Sequence, residues 1–175
     1  MKFLALSGSG RSISTNTALL RSVADIASPA HQVKLFAEVA DLPVFSPDLE
    51  AAQLPDSVQA FADLIRESDG LIISSPEYVR AIPGGLKNAI DWLVSREEII
   101  SKPIALMHAS HRGDDMLAQL RLVLSTVSHR FSSDLFLRFE FMALSPDDIA
   151  QRMAMPDNQD AVRAFLDAFA DYCKQ

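Results

Sequence analysis

A chain of 175 residues, 49% hydrophobic and 22% charged, is expected to form one soluble globular domain over residues 1–175 with a substantial core. A formal charge of -7 without any Lys/Arg run excludes the basic face of a nucleic-acid binder. Cys173 is the only cysteine, so neither an intrachain disulfide nor a cysteine-built zinc cluster can form. No apolar stretch reaches the ~18 residues of a membrane span, and the apolar N-terminal run is too short for a signal peptide. Cytoplasm is the expected location, with no membrane and no nucleic-acid partner.

Lys2 to Leu6 is a short apolar run, as in a strand covered on both faces. From Ser14 the period changes. Leu19, Leu20, Val23, Ala24 and Ala27 take helical spacing, with Ser14 as the predicted N-cap and Pro29 beyond the end. Gln32 to Phe36 is a second strand, and residues 41 to 57, with three prolines, read as an ordered loop. Val58, Phe61, Ala62 and Ile65 mark an amphipathic helix, and Leu71 to Ser74 a third strand. A helix through Leu86, Ala89, Ile90 and Leu93 follows, then a strand from Ile104 to Met107 and a helix through Leu117, Leu120, Leu124 and Val127. Asp134 to Phe141 is expected as the fifth strand and Asn158 to Tyr172 as the last helix. Strands alternating with helices predict an α/β fold, a doubly wound five-stranded parallel sheet of order 2-1-3-4-5 with helices on both faces.

In such a sheet, ligands sit beyond the carboxyl ends of the strands where the order reverses. The loops expected there are Ser7–Asn16, Ser75–Pro83 and Ala109–Gly113. The first, SGSGRSISTN, puts Ser9, Arg11, Ser14, Asn16 and Thr17 at a helix start, where free N–H groups and the helix dipole attract phosphate. Arg11 adds a charge-assisted contact. The loop has neither the Gly-Lys-Ser/Thr of a P-loop nor the GxGxxG of a dinucleotide site. A polar turn capped by Ser14, with no ligand, also suits these residues. In the second loop Pro76 and Pro83 stiffen the chain, Gly84 and Gly85 permit close approach, and Tyr78 offers an aromatic face to a flat ligand. Trp92 is expected in the core. Two loops for the two ends of a phosphorylated cofactor predict a flavin mononucleotide (FMN) site.

GSGRSISTN resembles the GSxRxxSxN phosphate loop of the NADPH-dependent FMN reductase family, which has a flavodoxin-like fold. PEYVRAIPGGLKNAIDW, residues 76–92, resembles that family's PEYN-x-x-(I/V)PGxLKNAIDW segment. LPVFSPDLE at 42–50, Ser101-Lys102-Pro103 and Gln119-Leu120-Arg121 are similar in place, and the resemblance runs over residues 2 to 128. It implies that Ser9, Arg11, Ser14 and Asn16 contact the phosphate. It further implies that Pro76, Glu77, Tyr78 and Val79 lie against the ring and ribityl chain, with Ser110 of the third loop near them. Three positions depart from the family pattern: Val79 replaces Asn, Ile13 replaces Gly, and Gly113-Asp114-Asp115 stands where paired glycines are common.

Other chemistry has little support. His108 and His111 have an HxxH spacing without a third ligand, so no metal is expected. Ser110, His111 and Asp114 lack a nucleophile elbow, and Asp114, Asp115, Asp147 and Asp148 suit helix starts better than a carboxylate pair. The function implied is an FMN-dependent oxidoreductase taking a hydride from NADPH or NADH and reducing a quinone, nitro or azo compound, chromate or free flavin. Such a protein needs no obligatory catalytic acid or base. Arg80 is expected either at the phosphates of the nicotinamide nucleotide or in solvent. Family relatives suggest a homodimer or homotetramer. A flavodoxin-type FMN electron carrier is the alternative, opposed by Arg11 and the PGGLKNAIDW segment. A receiver-type signalling domain fails, because Ser7-Gly8 and Ser74-Ser75 occupy its acidic positions.

Overall fold

The computed structural model describes residues 1–175. Five parallel strands, β1 (Lys2–Ser7), β2 (Gln32–Phe36), β3 (Gly70–Ser74), β4 (Ile104–His108) and β5 (Phe131–Arg138), form one sheet of order β2-β1-β3-β4-β5. The order reverses between β1 and β3. Strands β1, β3 and β4 are almost wholly buried, as their continuous apolar runs require when helices cover both faces.

Helices α1 (Thr15–Ala27), α2 (Pro47–Ala52), α3 (Asp56–Glu67), α4 (Gly84–Asp91), α5 (Glu97–Ile100), α6 (Asp114–Val127), α7 (Pro146–Met153) and α8 (Pro156–Cys173) complete the chain. The side chains of the sheet split by parity into two cores. Leu4, Leu6, Leu71, Ile73, Ile104 and Leu106 meet α3, α4 and α6 through Phe61, Ile65, Leu86, Ile90 and Leu120. Phe3, Ala5, Ile72, Ala105 and Met107 face α1, α7 and α8 through Leu19, Val23, Met153, Phe165 and Phe169. The period-2 alternation of a strand is what sends its neighbours to opposite layers.

The stretch 41–57, expected as a loop throughout, contains helix α2. Pro47–Ala52 buries no residue, so it leaves no amphipathic signal. Two further helices were not expected, α5, a single turn, and α7. The latter is announced by a capping box in which Ser145 accepts from Asp148 N–H while the Asp148 carboxylate accepts from Ser145 N–H. The fifth strand starts and ends three residues earlier than expected. Phe139 and Phe141 continue the alternating pattern past its end because they stack on each other at 5.0 Å and fill the α1/α8 core.

Trp92 is fully buried, as expected, and anchors more than itself. Its Nε1 donates to the Pro43 carbonyl at 2.7 Å, and Asn88 both donates to that carbonyl and accepts from Phe45 N–H. The KNAIDW segment thereby fastens the LPVF loop to α4, with Phe45 set edge-on to Trp92. Two of the family-like motifs are thus partners in one scaffold.

Candidate functional site

The three loops expected at the carboxyl ends of β1, β3 and β4 are found there. Gly8 continues the ladder, its N–H donating to Ser74 O at 2.8 Å. A Cβ on Gly8 would lie 2.5 Å from Ser75 Oγ and 2.7 Å from Leu86 Cδ2, so only glycine lets the first loop pass against the second.

Beyond Gly8 the first loop is built by serine hydroxyls. Ser7 Oγ shares a hydrogen bond with Thr17 Oγ1 at 2.8 Å, Ser9 Oγ accepts from Arg11 N–H, and Ser14 Oγ accepts from Thr17 N–H. The Ser74 hydroxyl donates to Asn16 Oδ1 at 2.8 Å, drawing the Asn16 carbonyl toward β3. Ser9, Ser14 and Asn16 are buried, whereas Arg11 is exposed and makes no ion pair within the chain. The N–H groups of Ser12, Ile13, Ser14, Thr15 and Asn16 find no acceptor in the protein. Free donors at the start of a 13-residue helix, beside an unpaired guanidinium, suit an anion of the size and charge of a phosphate. These residues fit the phosphate of FMN.

The second loop is a tight hairpin. Tyr78 N–H donates to Ala81 O at 3.1 Å and Ala81 N–H to Tyr78 O at 3.0 Å, closing a turn whose central residues are both left-handed, Val79 at φ 52° and Arg80 at φ 59°. Tyr78 is half-exposed and Val79 fully so.

Alpha-helix α6 braces this hairpin. Met116 N–H donates to Glu77 Oε2 at 3.0 Å, so the Glu77 carboxylate caps the amino end of α6. Arg80 Nε meets Asp115 Oδ2 at 2.6 Å, and Gln119 Nε2 donates to the Arg80 carbonyl at 2.9 Å. Arg80 is therefore exposed but paired, and each member favours the other's charged form: the Asp115 pKa is lowered by its hydrogen bond to Arg80, and that of Arg80 is raised by the same bond. The contacts of Glu77, Asp115 and Gln119 went unforeseen. Only the position of Gln119 in a family-like motif singled it out, and nothing in one sequence says which loop a helix-surface amide will meet.

In the third loop Ser110 Oγ accepts from Arg112 N–H at 3.0 Å. Beneath it lies His108, buried at the end of β4, with Nε2–H donating to Arg112 O at 2.6 Å and Nδ1 without a partner. Burial pushes its pKa below the ordinary 6.5 and keeps the imidazole neutral. Gly113, at φ 102°, packs so closely that a Cβ would sit 2.8 Å from His108 Nε2. His111 is exposed on the loop, away from the buried face that holds His108. Asp114 and Asp115 occupy the first turn of α6 and Asp147 and Asp148 that of α7, the helix-start places expected for them.

A Ser/Arg loop with free donors, a tight hairpin and a third loop thus lie at the carboxyl ends of β1, β3 and β4, where the strand order reverses. The chain is similar to known proteins in sequence and in fold. The model of the family described as NADPH-dependent FMN reductase matches residues 1–135. A quinone reductase of Escherichia coli is 35% identical over 113 residues, 63% of this chain and 60% of the relative. An NAD(P)H-dependent FMN reductase of Pseudomonas aeruginosa is 37% identical over 112 residues, with the same coverage of 63% and 60%. The chain thus matches 60% of the length of these curated relatives. Among solved structures, the flavoenzyme NAD(P)H:(acceptor) oxidoreductase FerB of Paracoccus denitrificans superimposes with a TM-score of 0.74 at 26% identity, over 99% of this chain and 97% of the other. With loops, sheet order and sequence in agreement, the chain belongs to the NADPH-dependent FMN reductase family.

Proposed function

We propose that the protein is an FMN-dependent NAD(P)H oxidoreductase that reduces a quinone or another small acceptor. The observation that carries this reading is the set of unspent donors at the start of α1 beside unpaired Arg11, on the same sheet edge as the loop that holds the Tyr78–Ala81 hairpin. The family and the named activities of the relatives agree with it.

FMN, when bound, supplies the chemistry of accepting a hydride and passing on electrons. Ser9, Arg11 and Ser14 hold its phosphate, and Asn16 joins them through its backbone N–H, its side-chain carbonyl being engaged by Ser74. Pro76, Tyr78 and Val79 offer the backbone and aromatic edge of the ring site, with Ser110 where the third loop approaches the flavin. Glu77 serves the ring through its main chain, since its carboxylate is spent on α6. His108 is a neutral, buried support for the third loop, and no residue is required to trade a proton with substrate.

The acceptor is a small molecule entering the surface the nicotinamide has left. No helix is long and apolar enough to cross a membrane. A cytoplasmic homodimer or homotetramer in a single domain over residues 1–175 is the form proposed for it. Initial rates measured while NADPH or NADH and a quinone are varied together test the shared surface. Parallel double-reciprocal lines are expected, and intersecting lines would contradict it.

A further inference from the structure

Gln119 stands in the family-like trio Gln119-Leu120-Arg121, yet neither core nor phosphate site uses it. Leu120 packs in the core, and Arg121 donates to Ser133 O. Gln119 is exposed on α6, and its side chain donates through Nε2 to the Arg80 carbonyl at 2.9 Å.

That carbonyl belongs to the most conformationally demanding turn in the molecule. Two-residue hairpin loops with both residues left-handed strongly favour Asn-Gly, Asp-Gly and Gly-Gly. Here they are Val79 and Arg80, and a β-branched residue is the poorest occupant of left-handed space. Val79 is 99% exposed, so no burial offsets its conformation. What holds the turn is its own cross-bridge between Tyr78 and Ala81 together with α6. The Arg80–Asp115 pair is open to water and screened. The Gln119 bond is exposed as well, but it joins a neutral donor to the backbone of the strained residue itself.

We propose that Gln119 is a positioning residue for the ring-binding loop: it holds the Val79–Arg80 turn in the conformation that presents Pro76 to Val79 to the flavin ring. This rests on the FMN reading above, and it acts through the loop rather than by touching the ligand.

The test combines two readouts on wild type, Gln119→Ala, Gln119→Glu, Val79→Asn and the double variant Gln119→Ala/Val79→Asn. The first is amide hydrogen exchange at Tyr78 and Ala81 in protein free of flavin. The second is affinity for FMN and for riboflavin. Gln119→Ala is expected to speed exchange at both amides and to weaken FMN and riboflavin equally, by roughly two- to tenfold, the range of one lost hydrogen bond. Gln119→Glu behaves likewise, because a carboxylate cannot donate to a carbonyl. Asn tolerates the left-handed region, so Val79→Asn in the Gln119→Ala background restores slow exchange and recovers most of the affinity.

Unchanged exchange in Gln119→Ala, or exchange in Gln119→Glu as slow as wild type, would overturn the proposal. So would a loss confined to FMN, which would place the effect at the phosphate, or failure of Val79→Asn to compensate. Were wild type to bind neither flavin, the functional reading would fall, while the exchange measurement would still decide the role of Gln119 in the turn.

Discussion

Arg11 carries the only side-chain charge available to a phosphate in the first loop, and nothing in the chain neutralises it. Arg11→Ala is expected to weaken FMN by roughly tenfold to a hundredfold, the range for a lost charge-assisted bond, and riboflavin by much less. Titration of both flavins checks this; equal losses would remove Arg11 from the phosphate. His108 makes a prediction about pH. Its pKa is lowered in the fold by burial, so acidification protonates the unfolded chain first, and stability present above the ordinary 6.5 is lost as pH falls through the folded value. Denaturant midpoints should therefore drop more steeply between about pH 7 and pH 5 for wild type than for His108→Gln, where no imidazole titrates. Identical slopes would show that His108 titrates normally.

At the scale of elements, the strands were the most readable part of the sequence. Continuous apolar runs in β1, β3 and β4 are what a doubly covered sheet demands, and Ser14 signalled the start of α1 by hydroxyl chemistry alone. The second layer of the site was not readable. Ser9, Ser14 and Tyr78 could be named because phosphate and flat rings need particular side chains, but the bracing of the hairpin by Glu77, Asp115 and Gln119 depends on where α6 begins in space. Glycines record that closeness. Gly8→Ala would force a methyl into Ser75 and Leu86, and overpacking of this kind costs about 1–3 kcal/mol. A fall in the denaturation midpoint together with weaker flavin binding is expected, since the same contact joins the two loops. Val79→Asn should move stability the other way, by about 1 kcal/mol, as relief of left-handed strain in a β-branched residue. Thermal unfolding of the variant checks it, and an unchanged or lower Tm would mean the turn is not strained.

Across the whole molecule, one division of labour recurs. Two apolar layers fix the sheet, the motifs at 42–50 and 86–92 lock a loop to α4, and the carboxyl edge is left to polar loops. That edge faces neither core, so its serines and free N–H groups can be spent on a ligand. The amino edge carries concavities too, one of about 300 Å³ lined by Lys2, Gln32, Lys34 and Glu67, but its loops bring no comparable array of free donors. On the function proposed above, the carboxyl edge of this chain holds FMN in a form that a nicotinamide nucleotide can reduce. The most direct measurement is anaerobic mixing of the FMN-loaded protein with NADPH or NADH while the visible absorption of the flavin is followed. Rapid bleaching that saturates with nucleotide, and recovery on adding a quinone, is the predicted result. Failure of the purified chain to retain FMN in preference to FAD, or a bound flavin that neither nucleotide bleaches, would contradict it.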